Sequence, residues 1–101
     1  MDNKRFLILD TDGDVLVEVQ RGAFTVGITE VVSVNSYLVG VYANETEYLG
    51  GLYPSLGEAQ QAIAGLMTFK PSPKNNAYQF PQPSEPVSAL EVLGTLAGEW
   101  F

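Results

Sequence analysis

The chain contains no cysteine and no histidine among its 101 residues. Without cysteine there is no disulfide scaffold, thiolate zinc site, iron–sulfur cluster or cysteine nucleophile. Without histidine there is no Ser-His-Asp triad, no imidazole metal ligand and no imidazole acid–base group. Because only carboxylate, lysine, tyrosine and hydroxyl chemistry remains, we expect a protein that is not an enzyme and uses no cofactor.

Long apolar runs are also absent, since none approaches the roughly 18 residues that a membrane span requires. Asp2, Lys4 and Arg5 lead directly into a short apolar run at residues 6–9, so we expect no signal peptide and a cytoplasmic location. Basic residues are scarce: 5 Lys and Arg stand against 12 Asp and Glu, and the net charge is −7. Such a chain should be repelled by nucleic acid and by anionic membranes, and attracted to a basic protein surface.

Alternating apolar residues over residues 1–69 predict one α+β core: an antiparallel sheet of about four to five strands built from hairpins, with one helix packed on it. Asp12-Gly13 predicts a two-residue type I′ turn. Its register pairs Thr11 with Asp14, Asp10 with Val15, Ile8 with Val17 and Phe6 with Val19. Further strands are expected at residues 37–43 and 48–53, around a polar loop at 44–47. The path of residues 22–36 stays open.

The predicted helix begins at a capping box, in which Ser55 is followed three residues later by Glu58. Its apolar stripe comprises Leu56, Ala59, Ile63, Leu66 and Met67, and the helix should end near residues 67–69. The two glycines before it, Gly50 and Gly51, would allow a partner backbone or the helix to approach closely.

Residues 70–86 hold five of the 6 prolines and predict a proline-rich arm, either a linker or an extended segment that crosses the domain surface. Residues 87–101 have helical spacing and predict a short C-terminal helix. This helix would complete the core, pair with a second copy in a homodimer, or insert into a partner's groove. Its dimer or partner face would be formed by Leu90, Leu93, Leu96, Trp100 and Phe101.

The sharpest motif is an apolar strand that ends in Asp10-Thr11-Asp12-Gly13. It resembles the first motif of haloacid dehalogenase-type phosphatases, and the resemblance implies a nucleophilic Asp10, a general acid–base Asp12 and a bound Mg²⁺. Asp14 stands where that family usually has threonine or valine, and a strand follows where the family has a helical crossover. The alternation of the flanking residues favours a solvated acidic hairpin turn.

The spacing of Asp10, Asp12 and Asp14 also matches the first three ligand positions of an EF-hand loop. The sixth position of that loop should be glycine and is Val15, and the twelfth should be glutamate and is Arg21. Weak calcium binding therefore remains an alternative, and we expect no dedicated metal site.

Acidic turns and a group of tyrosines predict a protein-binding surface, because tyrosine combines contact area with a hydroxyl group. We expect an inhibitor that occupies the basic, nucleic-acid-binding surface of a partner enzyme, as phage-encoded anti-defence and anti-CRISPR proteins do. The alternative is a structural or assembly subunit that forms a homodimer through the C-terminal helix. The predicted partner-binding residues are Asp10, Asp12, Asp14, Glu45, Glu47, Tyr42, Tyr48 and Tyr53.

Overall fold

The computed structural model describes residues 5–85, which form six strands and one α-helix. The strands are β1 (Arg5–Leu9), β2 (Val15–Gln20), β3 (Phe24–Val31), β4 (Ser36–Ala43), β5 (Thr46–Tyr53) and β6 (Ala77–Gln79), and the helix is α1 (Leu56–Thr68). They form two three-stranded sheets, in the orders β2-β1-β6 and β3-β4-β5. The α+β class is thus confirmed in broad terms. The predicted C-terminal helix lies outside the described residues.

The arrangement differs from the single antiparallel sheet that the sequence predicts. After β2 the chain turns at residues 21–23, where the N–H of Ala23 donates to the carbonyl of Gln20. The next strand, β3, pairs with β4 and not with β2, so a second sheet begins there. The first sheet gains its third strand from β6, which pairs with β1 in parallel.

The first hairpin has the predicted pairs Phe6 with Val19 and Ile8 with Val17, but its turn differs. The register shifts between Ile8 and Leu9, so that Leu9, and not the predicted Asp10, pairs with Val15. The connecting loop has three residues between Asp10 and Asp14, and only Gly13 in it has a positive φ, of 90°. A type I′ turn would also require positive φ at Asp12. The loop instead resembles the type I turn plus G1 bulge that is common in three-residue hairpins.

The type I′ geometry occurs in the second hairpin. Ala43 pairs with Thr46, and the two residues between them, Asn44 and Glu45, have φ values of 54° and 62°. The same sheet reaches β4 through a short 3₁₀ helix (Val32–Val34), which ends at Asn35 in the left-handed region. Residues 22–36, whose path the sequence left open, thus contain all of β3, this 3₁₀ turn and the first residue of β4.

Helix α1 starts as the capping box predicts. The hydroxyl of Ser55 accepts the N–H of Glu58 at 3.3 Å, and the helix ends at Thr68. Its buried face is formed by Ala59, Ala62 and Leu66. The outer members of the predicted stripe, Leu56 and Met67, are exposed, because the small residues face the core instead.

The proline-rich segment is part of the folded structure. Its β6 lies beside β1, and the N–H of Phe80 donates to the carbonyl of Leu9 at 3.1 Å. Phe80 is fully buried among side chains from both sheets and the helix. A Cβ at Gly50 would lie 2.4 Å from the Phe80 ring, so glycine is needed there for the ring to enter. A close approach does occur at this glycine, but the approaching group is the Phe80 ring of the arm and not the helix or a partner backbone.

The main core is enclosed by the inner faces of both sheets, the helix and Phe80. A smaller apolar cluster on the second sheet contains Val31 and Leu52, with Val34, Leu38 and Leu49 packed against them. Among residues 5–85, no helix is long and apolar enough to cross a membrane.

Candidate protein-binding surface

The loop of residues 10–14 gathers three carboxylates at the end of the first hairpin. One carboxylate oxygen of Asp10, Oδ1, accepts the backbone N–H groups of Asp12 and Asp14, each at 2.9 Å. Each of the three residues can offer one carboxylate oxygen within 4.8 Å of the others. Asp12 and Asp14 are exposed and Asp10 is half-buried. The loop therefore presents closely spaced negative charge, with Asp10 fixing the backbone.

This acidic loop is held by the proline-rich segment. The side-chain amides of Gln79 and Gln82 both donate to the carbonyl oxygen of Thr11. Because Gln79 ends β6 and that strand is paired to β1, the loop is tied to a rigid element and not only to its own hairpin.

The same proline-rich segment also contacts the first turn of α1. The N–H and the hydroxyl of Ser84 both donate to the Glu58 carboxylate, each at 2.8 Å. These two bonds from Ser84, assisted by the Ser55 hydroxyl, hold the pKa of Glu58 below its ordinary value because they stabilise the charged carboxylate. Glu85 follows directly. We call the loop of residues 10–14, together with Glu58 and Glu85, the acidic end.

The basic side chains of residues 5–85 lie at the opposite end of the same elements. Arg21 donates to the carbonyl of Met67 in the last turn of α1, and Lys70 follows that helix. Arg5 begins β1 and lies beside Pro71 and Pro73, next to Lys74. We call Arg5, Arg21, Lys70 and Lys74 the basic end. Since α1 has 13 residues, about 20 Å of helix separates the two ends.

The structure does not bring the second acidic turn to the acidic end. Glu45 and Glu47 lie at the β4–β5 turn, whereas the acidic loop lies near the other end of these strands. Gln82 donates to Thr11 of the acidic loop, and the carbonyl of the neighbouring Pro81 accepts the hydroxyl of Tyr53, the last residue of β5. The acidic loop is therefore close to the end of β5 that is farthest from the turn. From Tyr37, which pairs with Tyr53, to the turn is about 20 Å along β4. The predicted acidic residues therefore form two separate groups.

The predicted tyrosines are also divided. Tyr42 is 52% exposed on the outer face of the second sheet, whereas Tyr48 is half-buried against the main core. Tyr53 is 1% exposed, and its hydroxyl donates to the Pro81 carbonyl at 2.8 Å. Burial raises the pKa of the Tyr53 hydroxyl. Tyr53 is therefore a core residue, and only Tyr42 offers a large exposed ring.

Sequence reasoning missed the residues that fix the acidic end, namely Gln79, Gln82 and Ser84. No local pattern marks them, because their partners lie 68, 71 and 26 residues away. They also stand in a segment whose composition is typical of linkers.

Carboxylate oxygens are the ligands that hard divalent cations prefer. One oxygen of Asp10 is already used by two backbone N–H groups, and the loop leads into a hairpin strand. The phosphatase resemblance is thus limited to the strand and its loop. Compared with protein-family models, curated proteins and solved structures, the chain matches none of them.

Proposed function

We propose that this chain is a non-catalytic cytoplasmic inhibitor whose acidic end binds the basic, nucleic-acid-binding surface of a partner enzyme. The observation that carries the proposal is the uneven charge. No basic side chain of residues 5–85 lies at the acidic end, whereas all four lie at the other end, among Glu18, Glu45 and Glu47. A molecule of this kind is oriented as it approaches a basic surface, and its association is accelerated by electrostatic steering.

The fixed geometry of the acidic loop supports the same proposal. Asp12 and Asp14 project from a backbone held by Asp10, and that backbone is tied to the arm through the Thr11 carbonyl. Because the backbone that carries these two carboxylates is already fixed, binding restricts only their side chains, which favours affinity. They would take the positions of phosphate oxygens on an arginine- and lysine-rich surface.

The proposal is tested by affinity capture with three baits from a nuclease-treated lysate of the organism that encodes the chain. The baits are the natural chain, D12N/D14N at the acidic end, and E45Q/E47Q at the other acidic turn. Both double variants remove two negative charges, so they differ only in where the charge is lost.

We expect the natural chain and E45Q/E47Q to retain the same basic nucleic-acid-binding protein, and added duplex DNA to displace it. D12N/D14N should retain much less of it. Equal retention by all three baits, or a complex that duplex DNA does not displace, would overturn the proposal.

A further inference from the structure

A second surface, on the other sheet, has the features of a site for an extended peptide. Gly27 of β3 and Gly40 of β4 pair directly across the strands. With no side chain at either position, a cavity of about 250 Å³ opens on the outer face. It is lined by residues 25–29 of β3 together with Gly40, Tyr42 and Glu47. We call it the glycine groove.

The groove runs along a strand that has an open edge. Within residues 5–85, β3 is hydrogen-bonded to β4 alone, so its other edge carries unpaired backbone N–H and C=O groups. Edge strands are usually protected by proline, lysine or a bulge. β3 has eight residues, FTVGITEV, with no proline, no basic residue and an uninterrupted register. It can therefore accept a further strand by β-augmentation.

Two side chains indicate what would enter the groove. The carboxylate of Glu47 lies over Gly40, where an added Cβ would be 3.3 Å from its Oε1 atom. Tyr42, which pairs with Glu47 across the strands, stands beside it with its ring exposed. A carboxylate next to an exposed aromatic ring attracts a cation, through ion pairing and a cation–π contact.

We propose that β3 binds an extended peptide strand of a partner protein, with one arginine or lysine side chain of that strand in the glycine groove against Tyr42 and Glu47. A second copy of this chain suits the site less well, because the strand edge carries Glu30 and the groove Glu47, and two copies would bring like charges together. This inference does not rest on the acidic end, which lies elsewhere in the molecule. It concerns a partner other than the enzyme that the acidic end binds, so the E45Q/E47Q control for that enzyme keeps its meaning.

The test is an NMR titration of the full ¹⁵N-labelled chain with the blocked peptide Ac-Thr-Val-Arg-Val-Thr-NH₂. Its control is the same peptide with norleucine in place of arginine. We expect the arginine peptide to shift the amide signals of residues 25–29 and of Tyr42. The norleucine peptide should bind at least about tenfold more weakly, because it lacks the charge.

Two chain variants locate the site. Gly27→Val places a side chain in the groove at a position where an added Cβ meets nothing within 4 Å, and Glu47→Gln removes the charge. Each should weaken binding of the arginine peptide at least about fivefold. Asp12→Asn removes the same charge at the acidic end and should leave binding within about twofold.

Several results would overturn the inference: no shifts at millimolar peptide, shifts centred on residues 10–14, or equal binding of both peptides. Protection of the outward β3 amides from hydrogen exchange in the free chain would also overturn it, because the edge would then already be covered by residues 86–101 or by a second copy. Failure here would leave the proposed binding of the acidic end untouched, since that binding is measured separately, by affinity capture with D12N/D14N.

Discussion

At position 50 the absence of a side chain decides whether the Phe80 ring can reach the core. The ring atoms would lie 2.4 to 3.0 Å from a Cβ on Gly50, and Phe80 contacts Tyr78 edge-on at a centroid distance of 5.4 Å. Phe80 is fully buried, so it has little room to move aside. A single glycine in β5 thus allows the proline-rich segment to close the core.

We therefore expect Gly50→Ala to lower the free energy of unfolding by about 1–3 kcal/mol, as overpacking of a core does. The matched control is Gly27→Ala in β3, where an added Cβ meets nothing within 4 Å. That variant should be neutral or slightly stabilising, because glycine weakens a strand interior. Urea unfolding measures both, and equal losses in the two variants would contradict the close approach.

The backbone of Glu45 lies in the left-handed region, which glycine adopts more readily than glutamate does. Its φ is 62°, in the second position of the type I′ turn, after Asn44. Glu45→Gly creates the Asn-Gly pair that this turn prefers and should stabilise the chain by about 1 kcal/mol. The control Glu47→Gly removes the same charge from a strand position and should destabilise it. If urea unfolding showed a higher free energy of unfolding for both variants, the effect would come from the lost charge and not from the backbone conformation.

At the scale of elements, the sequence predicted what local chemistry determines. The capping box of Ser55 and Glu58 placed the start of α1, and the position of Asp12-Gly13 gave the pairs of Phe6 and Ile8 with β2. The Asp12-Gly13 turn was wrong because the Asp10 carboxylate binds the N–H groups of Asp12 and Asp14, which stabilises a three-residue loop. Turn propensity alone does not include that competing interaction.

The strand β6 could not be predicted, because its pairing is not local. It has only three residues and stands between prolines. Its first residue, Ala77, pairs with Leu7, which lies 70 residues earlier in the chain. The candidate site shows the same division. The acidic residues of the loop were predicted from the sequence. The bonds from Gln79 and Gln82 to the Thr11 carbonyl of that loop were not predicted, because they depend on β6.

The contact between α1 and the arm predicts a pH dependence of stability. The pKa of Glu58 is lowered in the folded chain, mainly by the Ser84 N–H and hydroxyl groups. A carboxyl group with a lowered pKa stabilises the fold above its unfolded pKa, and this contribution is lost as the pH falls through the folded value. Glu58→Gln should therefore lower the thermal midpoint at neutral pH and have little effect in acid below that pKa.

Glu85→Gln is the control for this experiment, since it removes the same charge one residue after Ser84. It should leave the midpoint nearly unchanged across the same pH range. If the difference between the natural chain and Glu58→Gln persisted undiminished in acid, the stabilisation would not come from the charged carboxylate.

At the scale of the whole molecule, the described residues form a body whose charged side chains are all acidic at one end and are mixed, basic with acidic, at the other. The acidic end contains Asp12 and Asp14, which have no ion-pair partner among residues 5–85. The ion pair that the described residues do form joins Arg5 to Glu18 at 3.8 Å, and it lies at the basic end. The charge of the acidic end is therefore available to a partner, and salt should weaken its binding.

The central claim, that the acidic end binds a basic partner, is tested most directly with the captured partner in purified form. Its affinity is measured for the natural chain, D12N/D14N and E45Q/E47Q, at two salt concentrations. We predict that D12N/D14N weakens binding by about tenfold or more at low salt, that E45Q/E47Q changes it by less than about threefold, and that the difference shrinks at high salt. Equal affinities of the two double variants, or a loss confined to E45Q/E47Q, would contradict the claim.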